Sequence, residues 1–150
     1  MTREERRLER EARHKREREE YDNNALNQSI NLLKSLKENG EEYYSIASTY
    51  DGYTCDACSK WADKLLPLSE AKIGFNCPPF HSGCRCLITN AERISRMKCD
   101  TSLKWARSNR TGKAIYIPAW MTFEDFKREV LDNPNYKAEL NASNQEVLKI

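Results

Sequence analysis

With 150 residues, a mean hydropathy of -0.86 and 32% charged side chains, the chain is long enough for one ordinary domain but too polar to be packed core throughout. Its 25 basic and 23 acidic side chains nearly cancel, so no global field draws a polyanion and any nucleic-acid contact has to be local. No apolar run approaches the roughly 18 residues of a membrane span, and the opening MTREERRLER carries charges with no apolar stretch behind them, which predicts a soluble cytosolic product without membrane contact.

Residues 1–22 are almost entirely Glu and Arg, with Leu8 and Ala12 the only apolar side chains between Met1 and Tyr21. Pairs such as Glu9–Arg13, Glu11–Lys15 and Arg16–Glu20 sit at i,i+4 and contribute about 0.3 kcal/mol each to a helix. Lacking an apolar stripe, this segment reads as a solvated, fraying helical arm or a disordered one. From Asn23 the pattern changes: Leu26, Ile30, Leu33 and Leu36 share a helical face, Asn23 or Asn24 is the expected N-cap, and Asn39-Gly40 marks the stop. Residues 23–42 are thus a packing helix and connector.

Residues 43–131 form the expected module. The run EEYYSIAST predicts a strand with Tyr43, Tyr44 and Ile46 facing a core, and Asp51-Gly52 a turn. Trp61–Leu68 reads as a small hairpin or turn, and Ser69 as the cap of one helical turn that Gly74 ends. The prolines of CPPF force an extended chain, because the residue before each is excluded from helix. CLIT predicts a strand that returns to the one at Tyr43, with Asn90 capping a helix to Met97. KAIYI alternates as a strand, Thr122 and Asp125 make a capping box, and Phe123, Phe126 and Val130 form the apolar face of the helix it opens. The back half is expected to pack on Trp105, Ile115 and Phe126. Residues 132–150 carry weak helical signal and are expected to form a loosely attached tail. The fold class is therefore α+β: short antiparallel strands with flanking helices, preceded by a charged helix.

The chemistry concentrates between Cys55 and Cys86, which hold five of the six cysteines and one of the two histidines. Cys55 and Cys58 form a C-x2-C pair; His81, Cys84 and Cys86 form an H-x2-C-x-C cluster. Two close-spaced soft-ligand pairs on a loop long enough to fold back are what a tetrahedral zinc site needs. In a reducing compartment the disulfide alternative recedes, and the surroundings are too short and turn-rich for a thioredoxin-like unit. Five donors compete for four places: Cys55, Cys58, His81 and Cys86 are the first choice, with Cys84 replacing either of the last two. Cys77 and Cys99 read as structural thiols. A thiolate-rich metal is a poor Lewis acid and His14 lies in the charged arm, so the zinc is expected to be structural and the protein not an enzyme; a nuclease with His81 as base is the enzymatic alternative.

TCDAC, SEAKIGFNCPPFHSGCRC and ARSNRTGKAIYIPAWMTFEDF together resemble the C-terminal part of phage minor head proteins of the Mu F-like kind, also called head morphogenesis proteins. The resemblance spans about residues 43–130, with Pro78-Pro79-x-His81 and Cys84-Arg85-Cys86 its most specific elements, and Ser82 standing where relatives often carry proline. It implies a few-copy capsid-associated component of the virion, acting near the portal in assembly or in DNA packaging and ejection, made in the host cytoplasm. Portal or capsid proteins are the expected partners, and DNA a non-specific one. The helical region before the motif is shorter than in such proteins, which leaves open a phage or satellite protein that reuses the module to bind a host or helper-phage protein. A further alternative is a nucleic-acid-binding zinc module using Arg85, Arg93, Arg96, Lys104, Arg107 and Arg110 beside Trp105.

Overall fold

The computed structural model describes residues 1–98, 102–109 and 112–149. The fold is α+β, a long N-terminal helix followed by two small sheets, each with its own apolar core. Helix α1 runs unbroken from Arg3 to Glu38. The expected boundary at Asn23 is absent because the helix is already capped at its beginning. Thr2 accepts from the Glu5 backbone N–H while the Glu5 carboxylate accepts from the Thr2 N–H, a complete capping box. The apolar packing of α1 comes from its C-terminal part: Leu32, Leu33 and Leu36 lie on the first core, whereas Leu26 and Ile30 stay substantially exposed.

The first sheet has the order β2-β1-β3, with β1 at Tyr43–Ala47, β2 at Leu66–Pro67 and β3 at Leu87–Asn90, all antiparallel. The register pairs Ser45 with Thr89 and Ile46 with Ile88, the predicted return of CLIT onto the strand at Tyr43. Tyr44 and Ile46 are fully buried, but Tyr43 faces solvent, as the period of two requires of a neighbour of Tyr44. Between the strands, helix α2 covers Asp56–Lys60 and a 3-10 turn covers Leu68–Glu70; Ser69 lies inside that turn and does not cap it. Asn76 organises the loop that follows, accepting from Lys72 N (2.7 Å) and donating to Glu70 O (2.9 Å), while its own carbonyl accepts from the Tyr44 hydroxyl (2.7 Å). Cys77 is buried in the same core.

Helix α3, Glu92–Met97, leads to the second sheet, in the order β4-β5-β7-β6: β4 Leu103–Arg107, β5 Ala114–Pro118, β6 Ala138–Leu140 and β7 Glu146–Leu148. This sheet is mixed, since β5 and β7 run parallel. Strand β4 was not expected from the sequence, and the segment expected as a loose tail instead supplies β6 and β7, with Tyr136 and Leu148 in the core. The capping box at Thr122 and Asp125 is present and opens α4, Phe123–Phe126, continued by a π turn at Lys127–Leu131. Phe123, Phe126 and Val130 are buried against Ile115, Ile117 and Tyr50, with the Tyr50 ring 5.5 Å from that of Phe123. Trp105 does not share this core. It lies opposite Tyr116 on the outer face of the sheet and is 41% exposed. No helix among the described residues is long and apolar enough to cross a membrane.

One buried carboxylate joins the two halves. Asp63, between α2 and β2, accepts from the Tyr50 hydroxyl, from Arg93 Nη1 at 2.7 Å and from Lys104 Nζ at 3.0 Å. Lys104 also lies 3.9 Å over the Tyr50 ring. Burial lowers the Lys104 pKa despite Asp63, and it raises that of Tyr50, with the Asp63 charge adding to the effect.

Candidate metal centre

The two halves of the cysteine pattern come together at the edge of the first sheet. The turn after β1 sends the chain back through Thr54, whose hydroxyl donates to Thr49 O, to Cys55 at the N-cap of α2. Cys55 Sγ accepts from the Cys58 N–H at 3.4 Å, so the C-x2-C spacing directs both sulfurs to one side of a single helical turn. Opposite them, the turn at His81–Cys84 uses Gly83 at φ +76°, a conformation that disfavours any side chain with a Cβ. Cys84 and Cys86 follow on the approach to β3, and both are buried.

Two three-donor groups result, Cys55, Cys58 and His81, and Cys58, Cys84 and Cys86, each with all its donor atoms within 4.8 Å of one another. They share Cys58, whose sulfur is 3.1 Å from His81 Nε2 and 3.9 Å from Cys84 Sγ. All five sequence-predicted donors are therefore assembled, and either group is close enough to hold a metal ion. In these groups Cys86 keeps company with Cys84 rather than with Cys55 and His81. Cys77 belongs to neither group, and Cys99 lies outside the described residues.

Electrostatics distinguish the five. His81 Nδ1 faces Ser82 O at 2.7 Å and can only donate to it, which leaves Nε2, the atom nearest Cys58, as the free lone pair. That hydrogen bond raises the His81 pKa, against a smaller effect of burial. Hydrogen bonding from Cys86 brings Cys84 down to about 5 in spite of burial, and Cys86 correspondingly rises. Burial and the hydrogen bond to Cys55 push Cys58 up to about 12. Burial opposes ionisation of Cys55 as well, but hydrogen bonds from the Cys58 N–H and the Cys58 thiol outweigh it and lower its pKa, with the His81 charge and the Ala57 N–H adding to the effect.

Groups around the donors tie the two loops together. Arg85, lying between the candidate ligands Cys84 and Cys86, turns away from them and binds Asp51 with both terminal nitrogens, at 2.8 and 3.0 Å. Asp51 is buried, also accepts from Tyr53 N (2.9 Å) and lies 3.1 Å from the Thr54 hydroxyl, so one carboxylate links the approach to Cys55 with the Cys84–Cys86 segment. Burial works to raise the Asp51 pKa, yet these donors, Arg85 foremost, hold it below the usual range. On the sulfur side, Ser48 Oγ lies 3.2 Å from Cys86 Sγ and donates to Cys58 O. Asp51 and Ser48 escaped the sequence reading, the first because it resembled an ordinary turn residue.

The basic residues expected to meet nucleic acid are distributed differently. Arg85 is paired with Asp51, and Arg93 and Lys104 with Asp63. Arg96 and Arg107 are exposed, with the Arg107 guanidinium 5.3 Å from the Trp105 ring, and Arg110 lies outside the described residues. Comparison of the chain with protein-family models, curated proteins and solved structures gives no match in any of the three.

Proposed function

We propose that the chain is a non-enzymatic structural and interaction module whose first half is stapled by one zinc ion. The observation that carries this reading is the convergence of four thiols and one imidazole, with Cys58, Cys84 and Cys86 buried, Cys55 and His81 exposed, and Cys58 at the shared corner. A tetrahedral zinc with Zn–S near 2.3 Å and Zn–N near 2.0–2.1 Å has ligand-to-ligand edges of about 3.5–3.8 Å. The Cys58–Cys84 separation of 3.9 Å is already at that edge, and the Cys58–His81 separation of 3.1 Å opens slightly to reach it. Any four-donor set built on either group contains Cys58. A site rich in thiolates and closed by protein ligands supports folding rather than water activation.

The role we propose for the module is in a phage particle or phage-related element, near the portal. The support is the resemblance of TCDAC, PPFHSGCRC and AIYIPAWMTFEDF to minor head proteins, together with the long exposed first half of α1. Among the described residues, the reading as a nucleic-acid-binding module keeps Arg96, Arg107 and Trp105 in support, because Arg85, Arg93 and Lys104 are ion-paired with carboxylates of the chain itself. The test is co-elution of the full chain with portal and capsid proteins, with and without a chelator. A complex that needs the metal-loaded chain supports the reading; no complex under either condition refutes the proposed role.

A further inference from the structure

Helix α1 touches the metal-binding loop at a place that its apolar packing does not require. Tyr21 Oη donates to Cys84 O at 2.8 Å. The neighbouring Asp22 accepts from Ser82 Oγ at 2.6 Å through one carboxylate oxygen and from Gly83 N at 2.8 Å through the other. The turn between His81 and Cys84 is therefore held by α1 at each of its three following positions, 82, 83 and 84. Ser82 is also the residue whose carbonyl fixes the His81 ring, so the contact passes directly to the orientation of Nε2. Gly83 in the left-handed region gives the turn little stiffness of its own. The clamp sits about three helical turns before Leu32, Leu33 and Leu36, which anchor α1 to the core.

We infer that Tyr21 and Asp22 are positioning residues of the metal centre, so that metal occupancy and the seating of α1 are linked. The inference rests on the reading that the cluster binds zinc. Groups that orient ligands without touching the metal set its affinity, and linkage makes the effect reciprocal. A seated helix holds His81 and Cys84 in place for the ion; the bound ion in turn fixes the turn that Tyr21 and Asp22 grip. The exposed segment from Arg3 to Glu20 belongs to the same unbroken helix.

The experiment uses the full chain and zinc in competition with a chromophoric chelator, with Co2+ absorption as a second probe. Asp22→Ala is expected to weaken zinc binding by about 10- to 100-fold, and Tyr21→Phe to weaken it in the same direction, while the Co2+ ligand-field band keeps the intensity of a tetrahedral site. Zinc is expected to increase amide-exchange protection over residues 21–36 in the parent chain and to do so less in Asp22→Ala. Glu20→Gln, on the exposed side of the helix, and Val130→Ala, in the other core, serve as controls and stay within about twofold of the parent affinity. Parent-like affinity in Asp22→Ala overturns the inference while leaving the zinc reading intact. An equal loss in Val130→Ala also overturns it, by assigning the effect to general stability. A parent chain that binds neither metal refutes the zinc reading and the inference together.

Discussion

Asp63→Asn tests whether the two halves are joined by charge. The Asp63 carboxylate is 7% exposed and pairs with both Arg93 and Lys104, whose side chains are 26% and 16% exposed. The substituted amide keeps the shape and tolerates the left-handed backbone at φ 56°, but it removes the negative charge and turns one acceptor into a donor. Breaking a buried pair by deleting one partner costs about 3–5 kcal/mol. Arg93 retains some water and the Lys104 pKa is already lowered by burial, so relief by deprotonation puts the expected loss near the lower end, about 3 kcal/mol. For a chain of this length that is a fall in Tm of roughly 6–12 °C. Asp63→Ala loses about 1 kcal/mol more, because alanine is disfavoured in that backbone region. Adding Lys104→Met to Asp63→Asn removes the stranded ammonium and restores part of the loss. Urea unfolding of the metal-loaded chain, followed by circular dichroism and tryptophan fluorescence, measures all three. A change within about 0.5 kcal/mol for Asp63→Asn, the range of an ordinary surface substitution, would refute a buried charge hub.

Two further outcomes follow from the donor cluster. Cys58→Ser is expected to abolish zinc binding whichever fourth ligand is used, whereas Cys77→Ser, in the same core but in neither group, keeps the metal and loses only stability; retained stoichiometric zinc in Cys58→Ser, measured by native mass spectrometry, contradicts the shared-corner geometry. Zinc affinity should also fall as the pH is lowered. Cys58, pushed up to about 12, and Cys86, also raised, hold their protons in neutral solution and must release them to bind metal, and His81, raised as well, competes for a proton as acid is added. Each displaced proton contributes about a tenfold loss of apparent affinity per pH unit, which competition titrations between about pH 8 and pH 6 resolve; a flat profile excludes these thiols as ligands.

The parts of the fold that could be read from the sequence are those where chemistry and period agree. The ligand spacing brought all five donors together, CLIT returned to the strand at Tyr43, and the box at Thr122 opened the helix carrying Phe123, Phe126 and Val130. Strand β4 was missed because Lys104 and Arg107 look like solvated surface, and only the tertiary position of Asp63 makes Lys104 an inward residue. The helix boundary was misplaced because apolar periodicity begins near Asn23, although Thr2 and Glu5 already spelled the capping signal that starts the helix. Strands β6 and β7 left almost no trace. They are three residues each, and β7 depends on a parallel pairing with β5 that no local pattern encodes. The links from Asp51 and Asp22 to the His81–Cys86 loop are likewise contacts between distant residues.

Zinc K-edge X-ray absorption on the purified, metal-loaded chain reads the coordination shell of the cysteine cluster itself. The expected result is one zinc per chain with a coordination shell dominated by sulfur near 2.3 Å, with or without a single imidazole nitrogen at about 2.0–2.1 Å depending on which four donors bind. A shell of oxygen and nitrogen alone, or a chain that retains no zinc, would contradict it.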